Sequence, residues 1–339
     1  MNKSYYTERN QKYLLDLEKC KLQLPKFCEQ FFVGIQVTSI LTRVGYAHDL
    51  KIFFDFLVRK IITNKAVRDL TLQDLDKISA FNLESFLSYL SCFEFNGKMQ
   101  QNGDCAKDRK LSTVKVLLKY FYNKDKLTSD VSSKVASIKI KDKNIIKLEH
   151  DEIIKLLDID KVLETFSNHQ RIFLQQTKKR DLAILVFFLG TGIRISELVG
   201  LDIKNIDFNN NSFSIIRKGG DSDILYFSNE VADKLQDYLA QREGSKELAL
   251  FLSLQGKRLQ VRAVENMVKK YTQKIAPLKN ITPHKLRTSF ATQLYRKTND
   301  IYVVAEVLGH KDINTTRRHY AECGVDNKMK AAEVIKYWI

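Results

Sequence analysis

The chain has 339 residues, of which 44% are hydrophobic and only 3 are proline. This is enough chain to bury the cores of two domains, and long disordered stretches are not expected. The formal net charge is +16, and residues 101–150 alone carry 12 Lys and Arg against 6 Asp and Glu. A folded chain this basic favours a polyanionic partner, with nucleic acid ahead of a membrane surface.

Cysteine usage and hydropathy exclude several other classes. The five cysteines are scattered and odd in number, with no metal-ligand spacing, so we expect free thiols and no metal site; they are Cys20, Cys28, Cys92, Cys105 and Cys323. The amino terminus is polar and lacks the apolar core of a signal peptide. The longest apolar run, Leu182–Ile193, is too short to span a bilayer. The sequence therefore predicts a cytoplasmic protein without a membrane segment.

The first 140 or so residues predict helices. Thr42–Ile62 places apolar residues at three- and four-residue spacing, and Asn82–Phe93 and Leu111–Lys124 repeat the pattern. Ser132–Lys147 is rich in lysine and not periodic. It fits an interdomain linker that lies along something negative, although an ordinary solvated connector fits its composition as well.

After the linker the pattern changes. His150–Leu157 and Lys179–Gly190 predict helices, and Ile206–Ser228 predicts three short strands separated by "NNNS" and "GGDS", which are turn signals. Helical patterns then resume; they are "NEVADKLQDYLAQ", "RAVENMVKKYTQKI" and "TPHKLRTSFATQLYRK". The predicted fold class is mainly α with two domains: a helical bundle, then a mixed α+β domain that is mostly helical with a small antiparallel sheet.

Two segments of the second domain carry basic residues that could act in an active site. In "GTGIRISELVGL" (Gly190–Leu201) a helix breaks at Gly-Thr-Gly, and Arg194 falls in the first turn of the next helix. Backbone N–H groups and a guanidinium there suit a phosphate. On this motif alone, an ordinary helix-to-helix turn with Arg194 paired to a surface acid is the more common case. Lys218 ends a strand before the Gly219-Gly220 turn, where it could serve as a general acid or be a solvated hairpin lysine.

Two further segments carry residues suited to phosphate chemistry. In "TPHKLRTSFATQ", Thr282 and Pro283 can begin a helix that places His284 and Arg287 three residues apart on one face. Near the carboxyl end, "LGHKDINTTRRHY" has Gly309 as a helix terminator, His310 just past it, and Tyr320 ten residues later. A tyrosine can attack phosphorus when cations stabilise the transition state. Taken alone, Tyr320 would be interpreted as a core or interface tyrosine, as the chain holds 14 and the sequence does not lift one above the others.

Together and in this order, these segments resemble the tyrosine recombinase (phage integrase) family. The matching segments are "TGIRISEL", "RKGG", "HKLRTSFAT", "LGHKDINTT" and "RRHY". The amino-terminal half is also similar: Thr42–Leu57 resembles the family's helical core-binding domain, and Arg109–Tyr122 its last helix before the linker. The resemblance is strongest to short bacterial Xer-type and mobile-element recombinases. It implies a core-binding domain over residues 1–135, a basic linker over 136–147 and a catalytic domain over 148–339.

The resemblance implies a catalytic set that converges on one DNA phosphate; its members are Arg194, Lys218, His284, Arg287, His310 and Tyr320. The two arginines would clamp the phosphate, and the tyrosine would form a 3′-phosphotyrosine link. His284 would assist proton transfer there, the lysine would protonate the departing 5′ oxygen, and His310 would bond a phosphate oxygen. Glu197 is interpreted as structural, holding helix or arginine geometry. No metal, nucleotide or other cofactor is implied.

Other expectations follow from the same resemblance. His319 stands where relatives usually have an aromatic residue, and Thr288 where many have histidine. A carboxyl-terminal helix over about 327–339 would dock on a neighbouring protomer, with packing on its own chain as the alternative. The implied partner is double-stranded DNA with a specific site, bound by a dimer and, in synapsis, by a tetramer. Basic side chains expected to contact this DNA are Arg43, Arg109, Lys110, Lys115, Lys139 and Lys141.

The predicted function is site-specific DNA recombination through a Holliday junction, either for chromosome-dimer resolution or for integration and excision of a mobile element. Two alternatives are a catalytically inactive DNA-binding protein on the same fold and a DNA-relaxing enzyme of type IB topoisomerase character. The predicted location is the bacterial cytoplasm, in association with the nucleoid.

Overall fold

The computed structural model describes residues 5–140, 145–217, 220–242 and 244–309. Compact packing divides the chain into two units, with the division between Lys143 and Asn144. Over these described ranges, no helix is both long enough and apolar enough to cross a membrane.

The first unit is a bundle of helices with one hairpin. Its elements are α1 (Tyr5–Lys21), α2 (Cys28–Gly34), α3 (Ile40–Lys60), α4 (Leu72–Asp76), α5 (Ala80–Tyr89), β1 (Phe93–Phe95), β2 (Lys98–Gln100) and α6 (Asp104–Tyr122). The apolar spacing predicted α3, α5 and α6, and the structure confirms helices there. Helix α6 begins at Asp104, earlier than its apolar stripe indicated, because Gly103 starts the helix and its first turns are polar.

Aromatic side chains from three helices fill the core of this unit. On α3, Phe53 and Phe54 are fully buried. The ring of Phe53 packs edge-on against Phe86 of α5, with 5.2 Å between centroids, and Phe27 packs edge-on against both Phe54 and Phe121 of α6. Burying rings of this size is the main favourable term that holds the bundle together.

The hairpin β1–β2 was not predicted from the sequence. The pairing is antiparallel, with Phe95 opposite Lys98. The two residues between these partners are Asn96 and Gly97, which have φ of 53° and 70°. An Asn-Gly pair with positive φ at both positions is the preferred two-residue hairpin turn. Helix α5 stops at Tyr89, earlier than the predicted end at Phe93, because the hairpin begins at Phe93.

The second unit surrounds a small sheet with helices. Its helices are α7 (His150–Leu157), α8 (Ile159–Glu164), α9 (Asn168–Thr191), α10 (Ile195–Leu198), α11 (Asn229–Gln241), α12 (Val261–Ile275), α13 (Pro283–Thr298) and α14 (Ile301–Leu308). The sheet consists of β3 (Ile206–Asp207), β4 (Ser212–Ile216) and β5 (Ser222–Tyr226), in that order and antiparallel. The predicted fold class, mainly α with a small antiparallel sheet in the second half, is confirmed.

Helix α9 forms the centre of this unit. Its second half is apolar, and Ile184, Leu185, Phe187 and Phe188 are buried. The ring of Phe187 packs against Phe213 of β4 with 4.9 Å between centroids. The sheet is thereby fixed against the helix that leads directly to Arg194, and the hairpin β4–β5 extends from this anchored base.

Candidate active site

Arg194 is positioned by a turn that only glycine can make. Helix α9 ends at Thr191, and Gly192 follows in the left-handed conformation with φ of 63°. A Cβ on Gly192 would lie 2.4 Å from a ring carbon of Phe290, so any larger residue would collide with α13. The chain then turns sharply, and Arg194 is the residue that precedes the first turn of α10.

The carboxylate of Glu197 fixes the Arg194 side chain. It accepts hydrogen bonds from the Arg194 backbone N–H at 3.0 Å and from its Nη1 at 2.9 Å, while Arg194 Nη2 donates to the Gly309 carbonyl at 3.2 Å. Glu197 is buried, whereas the Arg194 side chain is 32% exposed. The sequence suggested that backbone N–H groups at the start of α10 would bind an external anion. The Arg194 N–H instead donates to Glu197, and this carboxylate holds the arginine side chain as expected.

Arg287 is fixed between two turns. Helix α13 begins after Thr282 with Pro283 in its first turn, as predicted, although the Thr282 side chain makes no capping bond. Arg287 is only 4% exposed. Its Nη1 donates to the Gly192 carbonyl at 2.6 Å and its Nη2 to the Leu308 carbonyl. His284 lies one turn earlier on the same helix and is exposed.

The end of α14 is the point at which the guanidinium groups meet. Its last carbonyls have no partner within the helix and form the negative end of its dipole. Arg194 donates to Gly309, Arg287 to Leu308, and Arg217, which follows β4, donates to Val307 at 3.1 Å. Sequence reasoning did not select Arg217, although it is the first residue of the "RKGG" segment.

This cluster retains positive charge. Its three guanidiniums face two carboxylates, because Arg217 Nε donates to Asp223 at 2.8 Å and its Nη1 lies 3.6 Å from Glu197. A fixed group of hydrogen-bond donors with one excess positive charge suits an anion whose charge grows during a reaction, such as a phosphate under nucleophilic attack. No cluster of three metal-ligating side chains occurs in the part of the chain that the structure describes.

The structure thus brings together Arg194 and Arg287, with His284 on the same helix as Arg287. The other three predicted catalytic residues, Lys218, His310 and Tyr320, lie outside the described residues, as do Lys141 and the carboxyl-terminal segment 327–339. Lys218 follows Arg217 directly in the chain, and His310 follows Gly309.

The basic residues predicted to contact DNA lie in varied surroundings. Arg109 is more than half exposed and donates to the buried carboxylate of Asp49. Lys115 donates to the Val135 carbonyl, and Lys139 is exposed. Arg43 is half-buried on α3, and its Nε has no hydrogen-bond partner.

Lys110 differs from the others in this set. It is buried and its Nζ donates to the Asn102 side chain at 3.1 Å. Burial lowers the pKa of its ammonium group. A direct phosphate contact by Lys110 would therefore require the side chain to leave this buried position.

A sequence profile of the phage integrase family matches residues 147–324, which is more than half of the chain. The chain belongs to the phage integrase family. It is an enzyme of the tyrosine recombinase type and acts in site-specific recombination. Among its relatives, it is 30% identical to tyrosine recombinase XerS of Streptococcus pyogenes over 90% of each chain. It is 32% identical to tyrosine recombinase XerC of Caldanaerobacter subterraneus over 87% of this chain and 83% of that one.

Solved structures share the fold of this recombinase. The XerH recombinase bound to its difH substrate superposes with a TM-score of 0.59 at 24% identity, over 86% of this chain and 79% of XerH. The Tn1549 transposon integrase in complex with transposon right end DNA gives a TM-score of 0.64 at 18% identity, over 94% and 99% of the two chains. At these identities the likeness concerns the fold alone.

Glu197→Gln is expected to lower the free energy of unfolding of the recombinase by about 3 kcal/mol, because it leaves two guanidiniums without their shared buried counter-ion. Glutamine keeps the size of the side chain but replaces one acceptor oxygen with a donor that faces other donors. Urea-induced unfolding measures the difference.

The matched control is Glu265→Gln, which breaks an exposed Arg262–Glu265 pair of the same spacing and 3.1 Å length. It should change stability by less than about 0.5 kcal/mol. Equal effects would show that the Glu197 pair is no more important than a surface pair.

Proposed function

We propose that this recombinase binds duplex DNA at defined sites and exchanges strands through a covalent 3′-phosphotyrosine intermediate and a Holliday junction. The observation that carries the proposal is the convergence of Arg194 and Arg287. They reach, from α10 and α13, two successive carbonyls that directly precede His310. Three distant segments of the chain, each carrying part of the family motif, therefore meet at one point.

The proposed reaction proceeds in two symmetrical steps. The Tyr320 hydroxyl attacks the scissile phosphorus and loses its proton with assistance from His284. The bond from phosphorus to the 5′ oxygen breaks, and Lys218 donates the proton that makes this oxygen a neutral leaving group. Arg194, Arg287 and His310 stabilise the charge on the non-bridging oxygens. A 5′ hydroxyl from the partner strand then attacks the phosphotyrosine and reverses these proton transfers.

The two units have different proposed roles. Residues 1–135 form the core-binding domain, residues 136–147 the linker and residues 148–339 the catalytic domain. Basic side chains proposed to lie near phosphates are Arg43, Arg109, Lys115, Lys139 and Lys141. The last four lie within residues 101–150, where positive charge is in excess. Two protomers occupy each site and four assemble in synapsis, with the segment 327–339 proposed as the contact between them. The proposed location is the bacterial cytoplasm, on the nucleoid.

Covalent capture tests this function. The full chain is incubated with fragmented genomic DNA of its source at low salt and denatured, and the DNA that stays attached to protein is sequenced. A few discrete fragments are expected. Fragments at the replication terminus would assign chromosome-dimer resolution, and the ends of a mobile element would assign integration and excision.

Two other outcomes of the capture experiment would overturn the proposal. Attachment throughout the genome, with relaxation of supercoiled plasmid by a monomer, would identify a type IB topoisomerase activity. Retarded DNA without any adduct would identify a DNA-binding protein that lacks catalysis.

A further inference from the structure

Arg217 contacts three separate segments of the catalytic unit. Its side chain is only 9% exposed. Nε donates to Asp223 on β5 at 2.8 Å, Nη2 donates to the Val307 carbonyl at 3.1 Å, and Nη1 lies 3.6 Å from Glu197 on α10. One guanidinium therefore joins the hairpin β4–β5, the end of α14 and the turn that carries Arg194.

Gly309 allows the guanidinium to lie this close to the end of α14. A Cβ at this position would lie 2.8 Å from Arg217 Cζ, and Gly309 has φ of 59°, in the left-handed region. The left-handed φ by itself disfavours a larger residue, and a Cβ would also displace the end of the Arg217 side chain. Glycine at position 309 therefore leaves room for the Arg217 guanidinium beside the end of α14.

Backbone hydrogen bonds fix the base of the hairpin in the same place. The Arg217 N–H donates to the Asp221 carbonyl at 2.8 Å, and the Gly220 N–H donates to the Arg217 carbonyl at 3.1 Å. Arg217 is thus held by its backbone to Asp221, which directly precedes β5, and by its side chain to α14. Lys218 is the next residue in the chain.

We infer that Arg217 is a positioning residue for strand cleavage: it holds the base of the hairpin to the end of α14 so that Lys218 can protonate the leaving 5′ oxygen. The inference rests on the proposed function. Arg217 is assigned no contact with a reacting atom; the family motif assigns the phosphate to Arg194 and Arg287. If Arg217 only stabilised the fold, its variants would respond differently to one chemical probe of the leaving group.

The probe is a DNA substrate whose scissile 5′ oxygen is replaced by a bridging sulfur. When phosphorus is attacked, a thiolate leaves without needing a proton, because a thiol is far more acidic than an alcohol. A variant that has lost only the positioning of its general acid should recover activity on sulfur. A variant that is damaged in structure or in DNA binding should remain slow on both substrates.

The experiment measures single-turnover cleavage by the full chain. The two DNA substrates, with oxygen or sulfur at the scissile position, both carry a recombination site isolated by covalent capture. Arg217→Met is expected to cleave the oxygen substrate about 100-fold more slowly, within the range that general acid catalysis contributes. On sulfur it should come within about 10-fold of wild type. Arg217→Lys keeps the charge but cannot reach three acceptors together. It should cleave the oxygen substrate at a rate between those of wild type and Arg217→Met.

Two further variants keep the test decisive. Asp223→Asn weakens the contact between Arg217 and the hairpin at a position that is 40% exposed, so the chain should fold, and it should show the same preferential recovery on sulfur. Arg242→Met is the structural control: Arg242 also donates to backbone carbonyls, those of Glu247 and Leu250 at 2.6 and 2.7 Å, but away from the site. Any loss it causes should be equal on both substrates.

Equal slowing of both substrates by Arg217→Met and Asp223→Asn would overturn the positioning role and leave the proposed function intact. Unimpaired cleavage of the oxygen substrate by these variants would also overturn the positioning role and leave the proposed function intact. Failure of the wild-type chain to form an adduct with either substrate would overturn the proposed function, and the role of Arg217 with it.

Discussion

Tyr320→Phe is expected to abolish the covalent protein–DNA adduct, with a loss of at least about 10³-fold, while DNA binding stays within about twofold of wild type. Removing a covalent nucleophile costs rate factors of this order or more, because no other group takes over its bond to the substrate. Phenylalanine lacks only the hydroxyl and keeps the ring. Denaturing gels of a captured site measure the adduct, and retardation of the same DNA measures binding.

Two other tyrosines serve as controls for Tyr320. Tyr302 lies on α14 and is exposed, so Tyr302→Phe removes a hydroxyl from the same region and should leave the adduct unchanged. Tyr337 is the only tyrosine after Tyr320 in the sequence, and Tyr337→Phe should also cleave normally. An adduct that persists in Tyr320→Phe and disappears in Tyr337→Phe would move the nucleophile to Tyr337.

Sequence periodicity predicted the helices whose apolar stripe covers their whole length. The pattern from Asn229 to Gln241 coincides with α11, and that from His150 to Leu157 coincides with α7. It failed for the first half of α9, which begins at Asn168, well before the predicted Lys179. That half is mostly polar and exposed, so burial leaves no stripe in it. Its start is nevertheless encoded, since Ser167 and Gln170 form a capping box.

The motif order predicted which residues belong to the site, but not how they are held there. Arg194 and Arg287 follow from the family resemblance. Arg217 does not, because its partners at Val307 and Leu308 lie about 90 positions away in the chain. Contacts between a side chain and distant backbone carbonyls depend on how helices pack, and single-sequence patterns carry little information about them.

Charge in the sequence likewise predicted a basic surface without indicating which lysines reach it. Lys110 lies in a strongly basic part of the chain, yet it is buried beside Asn102. Its place on α6 is on the same side as Leu111 and Val114, which are also buried. A lysine close to an apolar stripe can be drawn into the core by its neighbours, so net charge over a segment overestimates the charge available to phosphates.

Arg287→Ala is expected to reduce single-turnover cleavage by about 10³-fold and to lower the free energy of unfolding by about 2 kcal/mol. The rate loss follows from removing a fixed donor to the phosphate oxygens, which costs about 10²–10³-fold for a single neutral donor and more for a charged one. The stability loss follows because the Gly192 and Leu308 carbonyls lose the buried group that donates to them.

The matched control for Arg287 lies on the same helix. Arg296 is exposed and pairs with Glu149 at 3.4 Å, so Arg296→Ala should change stability by less than about 0.5 kcal/mol and leave cleavage unchanged. Arg287→Lys separates the two effects: it keeps a positive charge near the phosphate but cannot donate to both carbonyls at once. It should therefore recover part of the rate without recovering the stability. Full recovery of both by lysine would mean that charge alone, and not the two-carbonyl geometry, accounts for the role of Arg287.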